Sequence, residues 1–68
     1  MSAKDVVKIL CYKRGITITK LAEKLSELTG HNYTRQGLSN KLSRNTLKYS
    51  EIEYIAKILN YKIEFVDI

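Results

Sequence analysis

The chain is poor in the residues that hold many small domains together. Its 68 residues include one cysteine, Cys11, one histidine, His31, and no proline. A single cysteine excludes an intramolecular disulfide, and a single histidine excludes a histidine cluster around a metal. A chain this short buries only about 60% of its unfolded surface, so self-association is the remaining stabilising device. We expect Cys11 to be a small core residue rather than a nucleophile, and His31 to be a solvated loop residue.

Targeting signals and long apolar runs are also missing. The N-terminal sequence MSAKDVVKIL lacks the basic-then-apolar layout of a signal peptide, and its apolar run is too short and too charged to span a membrane. Together with the free thiol, this favours the cytoplasm. The composition is ordinary for a globular protein and contains no low-complexity run. We therefore expect one cytoplasmic domain.

Enzymatic patterns are absent as well. The sequence has no paired-carboxylate spacing, no Cys/His constellation and no glycine-rich phosphate loop. We also expect a chain of 68 residues to leave no volume for a substantial pocket. The expectation is a protein without enzymatic activity, cofactor, metal or small-molecule substrate.

Acidic residues are missing from one long stretch, residues 28–50. The net charge of +5 and the pI near 9.5 suggest a polyanionic partner, although many small basic proteins bind nothing acidic in particular. Clustering argues against that alternative, because the other 45 residues hold eight basic and seven acidic side chains. The stretch itself holds four basic residues and no acidic one: Arg35, Lys41, Arg44 and Lys48.

Within this stretch, residues 33–44, YTRQGLSNKLSR, predict a short helix with a polar, basic outer face. Thr34 is a natural N-cap, and Leu38 and Leu42 lie four apart, so they would anchor one side of the helix to a core. Arginine suits the edge of guanine, and glutamine and asparagine suit that of adenine. We interpret the segment as a recognition helix that exposes Arg35, Gln36, Ser39, Asn40, Lys41 and Arg44. Tyr33 is expected to pack its ring against the core.

Two further helices precede this segment. Helix one is predicted from Ser2 to Arg14, with Asp5 near its start and Gly15 at its end. Its mostly apolar face is expected to consist of Val6, Val7, Ile9, Leu10 and Lys13. Helix two follows residues 16–19, with Thr17 as its cap and Gly30 as its stop. Its expected buried face consists of Leu21, Ala22, Leu25 and Leu28.

Helix four is predicted to begin at a capping box formed by residues 50–53, SEIE, and to end near Asn60. Its expected buried stripe consists of Ile52, Ile55, Ala56 and Leu59.

The last eight residues, YKIEFVDI, change period. Tyr61, Ile63 and Phe65 alternate with charged residues, which predicts a half-buried strand. A lone strand has unpaired backbone groups, and the obvious partner is the same strand of a second copy. Antiparallel pairing about an axis near Ile63 would set Lys62 against Glu64. The alternative is that the tail folds back on its own helices or frays.

The segment ITITKLAEKL, followed by YTRQGLSNKL, resembles the helix-turn-helix of the Cro/C1-type (Xre) family of repressors. Thr17 matches the cap of helix two, Leu21-Ala22 the family's LA pair, Tyr33-Thr34 the step into helix three, and Leu38 the buried anchor. The segment IAKILNY is similar to the family's closing LAKALGV. The resemblance covers about residues 6–61. It implies a mainly α, four-helix, lambda-repressor-like helix-turn-helix domain with a C-terminal β-strand, in which residues 1–60 bind DNA and 61–68 dimerise.

The resemblance further implies a homodimer that binds a pseudo-palindromic double-stranded DNA operator as a transcriptional repressor, associated with the nucleoid when bound. The base readers would be Arg35, Gln36 and Asn40, with Ser39 secondary. The residues expected to contact phosphates are Thr17, Thr19, Lys20, Thr34, Lys41, Arg44 and Lys48. Dimerisation would involve Tyr61, Ile63 and Phe65. The alternative function is a protein-interaction module of the antitoxin or anti-repressor type, docking through the terminal strand.

Two positions depart from the family pattern. Leu25 is followed by SELTGHN where the family has a tight turn, so either helix two runs longer or the loop bulges. Gly37 lies inside the recognition helix at a cost of up to about 1 kcal/mol relative to alanine. We favour a helix surface kept bare for DNA over a helix that is merely weakened.

Overall fold

Helices form all the regular secondary structure of residues 3–68, the part of the chain that the computed structural model describes. They are α1 (Ala3–Arg14), α2 (Ile18–Thr29), α3 (Arg35–Arg44) and α4 (Tyr49–Ile58). The four predicted helices are therefore confirmed, whereas the expected cap at Ser2 lies outside the described residues. None of the four is long and apolar enough to cross a bilayer.

The starts and stops of the first two helices follow the predicted chemistry. The Thr17 side chain accepts a hydrogen bond from the Lys20 N–H at 3.1 Å and so caps α2. Gly15 and Gly30 take left-handed φ angles of 67° and 76°, which a residue without a Cβ adopts at little cost. The departure after Leu25 is resolved by a longer helix, because α2 continues to Thr29.

The predicted start of α4 is wrong. The N-cap is Lys48 rather than Ser50, and the helix begins at Tyr49. The carboxylate that closes the first turn belongs to Glu51 rather than Glu53, and its Oε1 accepts from the Lys48 N–H at 2.9 Å. The left-handed residue after α4 is Asn60, with φ 62°, as expected.

The core lies around α2, which contacts the other three helices. Leu21 and Leu25 are completely buried, and burial of Cys11 raises the pKa of its thiol, as expected of a core residue rather than a nucleophile. Two predicted core positions are wrong: Leu28 is 44% exposed and Ile52 is 37% exposed. The buried core residues are Val7, Cys11, Leu21, Ala22, Leu25, Leu38, Leu42, Ile55 and Leu59.

The apolar face predicted for helix one is only partly buried. Val7 is buried and Leu10 packs against the core, whereas Val6 and Ile9 are exposed.

The predicted C-terminal strand, and with it the fold class as a four-helix domain ending in a β-strand, is wrong. Residues 61–68 have no regular secondary structure. Alternation alone cannot make a strand, because the backbone N–H and C=O groups need a partner strand and the described chain supplies none. Lys62 and Glu64, expected to pair between copies, form an exposed ion pair within one chain at 3.2 Å.

The three residues assigned to dimerisation therefore have different environments. Tyr61 packs against the core of its own chain, under the guanidinium of Arg14, which lies 4.0 Å from the ring centroid. Ile63 and Phe65 are exposed, the latter by 88%. The segment begins by folding back on its own helices, which was the alternative to strand pairing.

Candidate nucleic-acid interface

Helix α3 has the cap and the anchor that the sequence predicts. The Thr34 hydroxyl accepts from the Gly37 N–H at 3.0 Å. Leu38 and Leu42 are buried in the core. At its other end the helix stops at Asn45, which takes a left-handed φ of 54°. The helix is thus fixed at its start, along its inner side and at its end, and its outer side is left to solvent.

The centre of the outer side is formed by Gln36 and Asn40. At 100° per residue, Asn40 lies about 180° around the helix from the midpoint of the two buried leucines. Gln36, Asn40 and Arg44 are all exposed. Ser43, which the sequence analysis did not single out, is exposed next to Gln36 in angle, on the side away from Asn40. Its signal was the same helical periodicity that places Gln36 outward.

The other two expected base readers lie at the margin of this surface. Arg35 is exposed at the first position of α3, on the flank nearer to the buried stripe. Ser39 is half-buried, on that same flank. Arg35 has the length to reach beyond the helix, whereas Ser39 does not. The structure therefore leaves Ser39 as the weakest of the four candidates.

The two exposed amides of α3 form a pair. Gln36 Nε2 donates to Asn40 Oδ1 at 3.1 Å, across one helical turn. The pair still has the Gln36 carbonyl oxygen to accept a hydrogen bond, and the Asn40 amide nitrogen to donate one. One acceptor beside one donor is the complement of the N6 and N7 groups that adenine shows in the major groove.

Residues expected to contact phosphates lie at three places. Thr17, Thr19 and Lys20 are exposed around the start of α2, Thr34 is exposed at the start of α3, and Arg44 and Lys48 are exposed beyond its centre. The Thr17 hydroxyl already accepts the cap bond, but its own hydrogen remains able to donate. Lys20 lies 3.5 Å from Glu23 in a pair with both side chains more than half exposed, and such pairs contribute little.

Lys41 differs from the other cations of the stretch. Its ammonium lies 2.9 Å from Glu51 Oε2, and the Glu51 side chain is only 7% exposed. The same ammonium lies 5.4 Å from the centroid of the Tyr33 ring. The Lys41 side chain is 43% exposed, and its ammonium is already paired with this buried carboxylate.

Glu51 is the residue that the sequence analysis missed. Its carboxylate accepts from three donors: the Lys48 N–H at 2.9 Å, the Tyr33 hydroxyl at 2.6 Å and the Lys41 ammonium at 2.9 Å. No described buried side-chain nitrogen or oxygen lacks a partner. Glu51 is also the first acidic residue after the basic stretch, and this position is a signal in the sequence that could have drawn attention to it.

The pKa values of this cluster follow from its contacts. Burial raises the pKa of Glu51, but hydrogen bonds from Lys48, Tyr33 and Lys41, together with the charge of Lys41, outweigh burial and lower it to about 2. Burial, the hydrogen bond to Glu51 and the charge of that carboxylate raise the pKa of Tyr33 to about 12. The carboxylate is thus ionised and the phenol neutral across the physiological range.

Tyr33 is also held from the side of α2. Its backbone N–H donates to the Ser26 hydroxyl at 2.8 Å. That hydroxyl in turn bonds to the Ala22 carbonyl at 2.9 Å. One residue before the cap of α3, the chain is therefore tied to α2 by its backbone and to α4 by its phenol.

A cleft of about 540 Å³ lies between the α2–α3 turn and the start of α4. The expectation that the chain leaves no room for a substantial pocket is therefore wrong. Tyr33, Lys41 and Glu51 line this cleft together with His31 and Tyr54. Both carboxylate oxygens of Glu51 are engaged by donors within the chain.

Within residues 3–68, no three histidine, cysteine, aspartate or glutamate side chains are grouped so that they could hold a metal ion. Comparison of the chain with protein-family models, with curated proteins and with solved structures gives no match. The resemblance to Cro/C1-type repressors therefore remains a prediction from the residues that carry it.

Proposed function

We propose that this protein is a sequence-specific double-stranded DNA-binding regulator of transcription, and that α3 is its recognition helix. The observation that carries the proposal is the outer side of α3. There an exposed amide pair and an exposed arginine stand on a helix with no acidic residue, anchored by two buried leucines. A helix of this kind fits the major groove, where base edges present their donors and acceptors.

The proposed contacts divide by chemistry. The Gln36–Asn40 pair would read adenine, and Arg35 would read guanine, with Ser39 secondary. The exposed residues Thr17, Thr19, Lys20, Thr34, Arg44 and Lys48 would contact phosphates, which fix position and supply much of the affinity. Lys41 is left out of this set because of its ion pair with Glu51.

The proposed mechanism is occupancy, which makes the protein a repressor. Bound over a promoter, it would block or redirect the polymerase. Residues 61–68 form no strand, so two copies on one site would not be joined by a terminal strand.

The test is selection of binding sites from a randomised duplex library at ~150 mM salt, where phosphate contacts alone give weak binding. We expect enrichment of a short sequence that contains adenine and guanine at fixed positions. An inverted repeat with half-sites about one helical turn apart would show that two copies bind together. Binding without any enriched sequence would reject the sequence-specific part of the proposal.

Two substitutions then test which side of the protein reads the sequence. Arg35→Ala and Asn40→Ala should each cost about 1–3 kcal/mol of binding free energy and relax the preference at one position. Lys57→Ala is the matched control, because it removes an exposed charge from α4 and leaves α3 intact. Titration of the selected duplex and of single-base variants gives both quantities. Unchanged affinity and preference in the two α3 variants would show that another surface reads the DNA.

A second candidate function is a protein-interaction module of the antitoxin or anti-repressor type. It is favoured by exposed apolar side chains at the end of the chain, where Phe65 and Val66 are largely solvent-accessible. The acid-free stretch around α3 is the feature that this candidate leaves unexplained. If the protein binds no duplex in the library, the protein-interaction module becomes the favoured function.

A further inference from the structure

The clearest feature outside the proposed DNA-reading surface is the buried carboxylate of Glu51. It joins three segments that flank or form the recognition helix: Tyr33 before α3, Lys41 within it, and Lys48 after it. Glu51 itself is in the first turn of α4, which is otherwise packed on α2. One side chain therefore ties the residue before the cap of α3 and the middle of α3 to the first turn of α4, which it also caps.

The same carboxylate determines the position of the Lys41 ammonium group. A lysine in the middle of a basic recognition helix would ordinarily be expected to reach a phosphate. Here its ammonium makes a charge-assisted hydrogen bond of 2.9 Å to a side chain that is almost wholly removed from water. If Lys41 left for a phosphate, it would leave an ionised buried carboxylate without its counter-charge, which is strongly unfavourable.

We infer that Glu51 is a positioning residue for DNA recognition: it ties Tyr33 and Lys41 to the first turn of α4 and withholds the Lys41 ammonium from the DNA backbone. This inference rests on the proposed function, because it concerns how α3 meets DNA. It divides the cations of the basic stretch into two classes. Arg44 and Lys48 are available to phosphates, whereas Lys41 serves the fold.

The consequence for binding is a trade between general and specific affinity. Releasing Lys41 would add one cation to the DNA-facing charge, which strengthens binding to every sequence. It would also remove the polar contact between Lys41 of α3 and Glu51 of α4, which makes the placement of the amide pair on the bases less exact. Loss of Glu51 should therefore raise affinity for random duplex and lower discrimination, a combination that simple destabilisation of the fold does not produce.

The experiment measures the salt dependence of binding to the selected duplex, because each phosphate contact contributes about 0.9 to the slope of log affinity against log salt. Glu51→Gln should steepen the slope by about 0.9 for each bound chain. Lys41→Met should leave the slope unchanged, and the double variant should return to the wild-type slope. Arg44→Met is the positive control, because it should reduce the slope by about 0.9.

Glu53→Gln is the matched control for charge. It makes the same change in net charge two residues along α4, at an exposed position. Glu51→Gln and Lys41→Met should each reduce the ratio of selected-site to random-duplex affinity by about tenfold or more, because small displacements of a reading group are costly. Glu53→Gln should leave both this ratio and the salt slope unchanged.

A reduction of the slope by Lys41→Met equal to that by Arg44→Met would overturn the inference, since Lys41 would then be a phosphate contact. Equal behaviour of Glu51→Gln and Glu53→Gln would overturn it as well. If Glu51→Gln does not fold, the slope of Lys41→Met alone still decides. If the wild-type protein prefers no DNA sequence, the proposed function fails and this inference fails with it. If the wild-type protein does prefer one sequence but Lys41→Met reduces the salt slope, only this inference fails.

Discussion

The recognition segment and the C-terminal segment are similar in length and opposite in how they are held. Residues 33–44 place two leucines in the core, and polar bonds to α2 and α4 fix their first residue, Tyr33. Residues 61–68 place one ring, that of Tyr61, against the core, and their other apolar side chains are exposed. Apolar residues thus organise a segment only where the remainder of the chain offers a surface for them to cover.

The largest expected effect contrasts one apolar residue from each segment. Leu38→Ala should lower the free energy of unfolding by about 2–5 kcal/mol, because it removes a fully buried side chain and leaves a cavity. Phe65→Ala should change it by less than about 0.5 kcal/mol, because the ring is exposed. Urea denaturation of the two variants measures both. A loss above about 1 kcal/mol at Phe65 would show that the tail has a packing partner.

The next effect concerns the acid stability of the polar cluster. The pKa of Glu51 is about 2 in the folded protein, against an ordinary value of 4.5. Because the folded value is the lower one, the carboxylate stabilises the fold above pH 4.5, and this contribution is lost as the pH falls towards 2. The shift corresponds to about 3 kcal/mol. Denaturation midpoints measured between these pH values should fall steeply in the wild type.

Glu51→Gln provides the control for this pH dependence, because it cannot titrate. The variant should be less stable than the wild type at neutral pH, and the difference should shrink as the pH falls through the same window. A wild-type pH dependence unchanged by the substitution would assign acid sensitivity to other carboxylates.

A smaller effect tests the contacts of Arg14 with the start of the C-terminal segment. Arg14 donates from Nε to the Leu59 carbonyl at 2.8 Å and stacks on Tyr61. Arg14→Met should cost about 1 kcal/mol, because it keeps an apolar stem but loses the hydrogen bond and the cation–π contact. Lys13→Met, an exposed neighbour on α1, should be near neutral in the same thermal denaturation. Equal stability of the two variants would show that the Arg14 side chain does not stabilise residues 59–61.

The smallest effect concerns Gly37. A Cβ there would lie 3.0 Å from the Thr34 hydroxyl, which caps α3. Gly37→Ala should therefore change stability little, because the gain of up to about 1 kcal/mol in helix propensity is offset by displacement of the cap. In a Thr34→Gly background the crowding is absent, so the same substitution should stabilise by about 1 kcal/mol. Denaturation of the four proteins gives this coupling, and equal effects in both backgrounds would refute it.

The helices were predictable because their signals are local. Thr17, Thr34, Gly15 and Gly30 act on residues within one turn, and all four do what their chemistry predicts. The buried pair Leu38 and Leu42 follows from helical spacing in the same way. The start of α4 was misplaced because, of the two nearby glutamates, Glu53 follows a serine in the S/T-x-x-E pattern, whereas Glu51, which closes the turn, follows a lysine at the N-cap. Only the third dimension shows which of them turns inward.

The remaining errors concern contacts between residues that are far apart in the sequence. Lys41 and Glu51 are ten residues apart on different helices, so no periodic pattern connects them. Burial of Leu28 and Ile52 would need a neighbouring surface that residues 3–68 do not provide. The terminal strand likewise needed a partner that lies outside a single chain's local sequence. Residue spacing predicts which way a side chain points, but not what it meets there.

The amide pair of α3 has a consequence for altering the preferred DNA sequence. Gln36 and Asn40 occupy each other's hydrogen-bonding groups, so a substitution at one changes what the other can offer. A change of DNA sequence preference at these positions therefore requires both residues to be substituted together. In libraries that vary one position at a time, every variant would lose the hydrogen bond between the two side chains. Randomising residues 36 and 40 together is the way to obtain proteins with new target sequences.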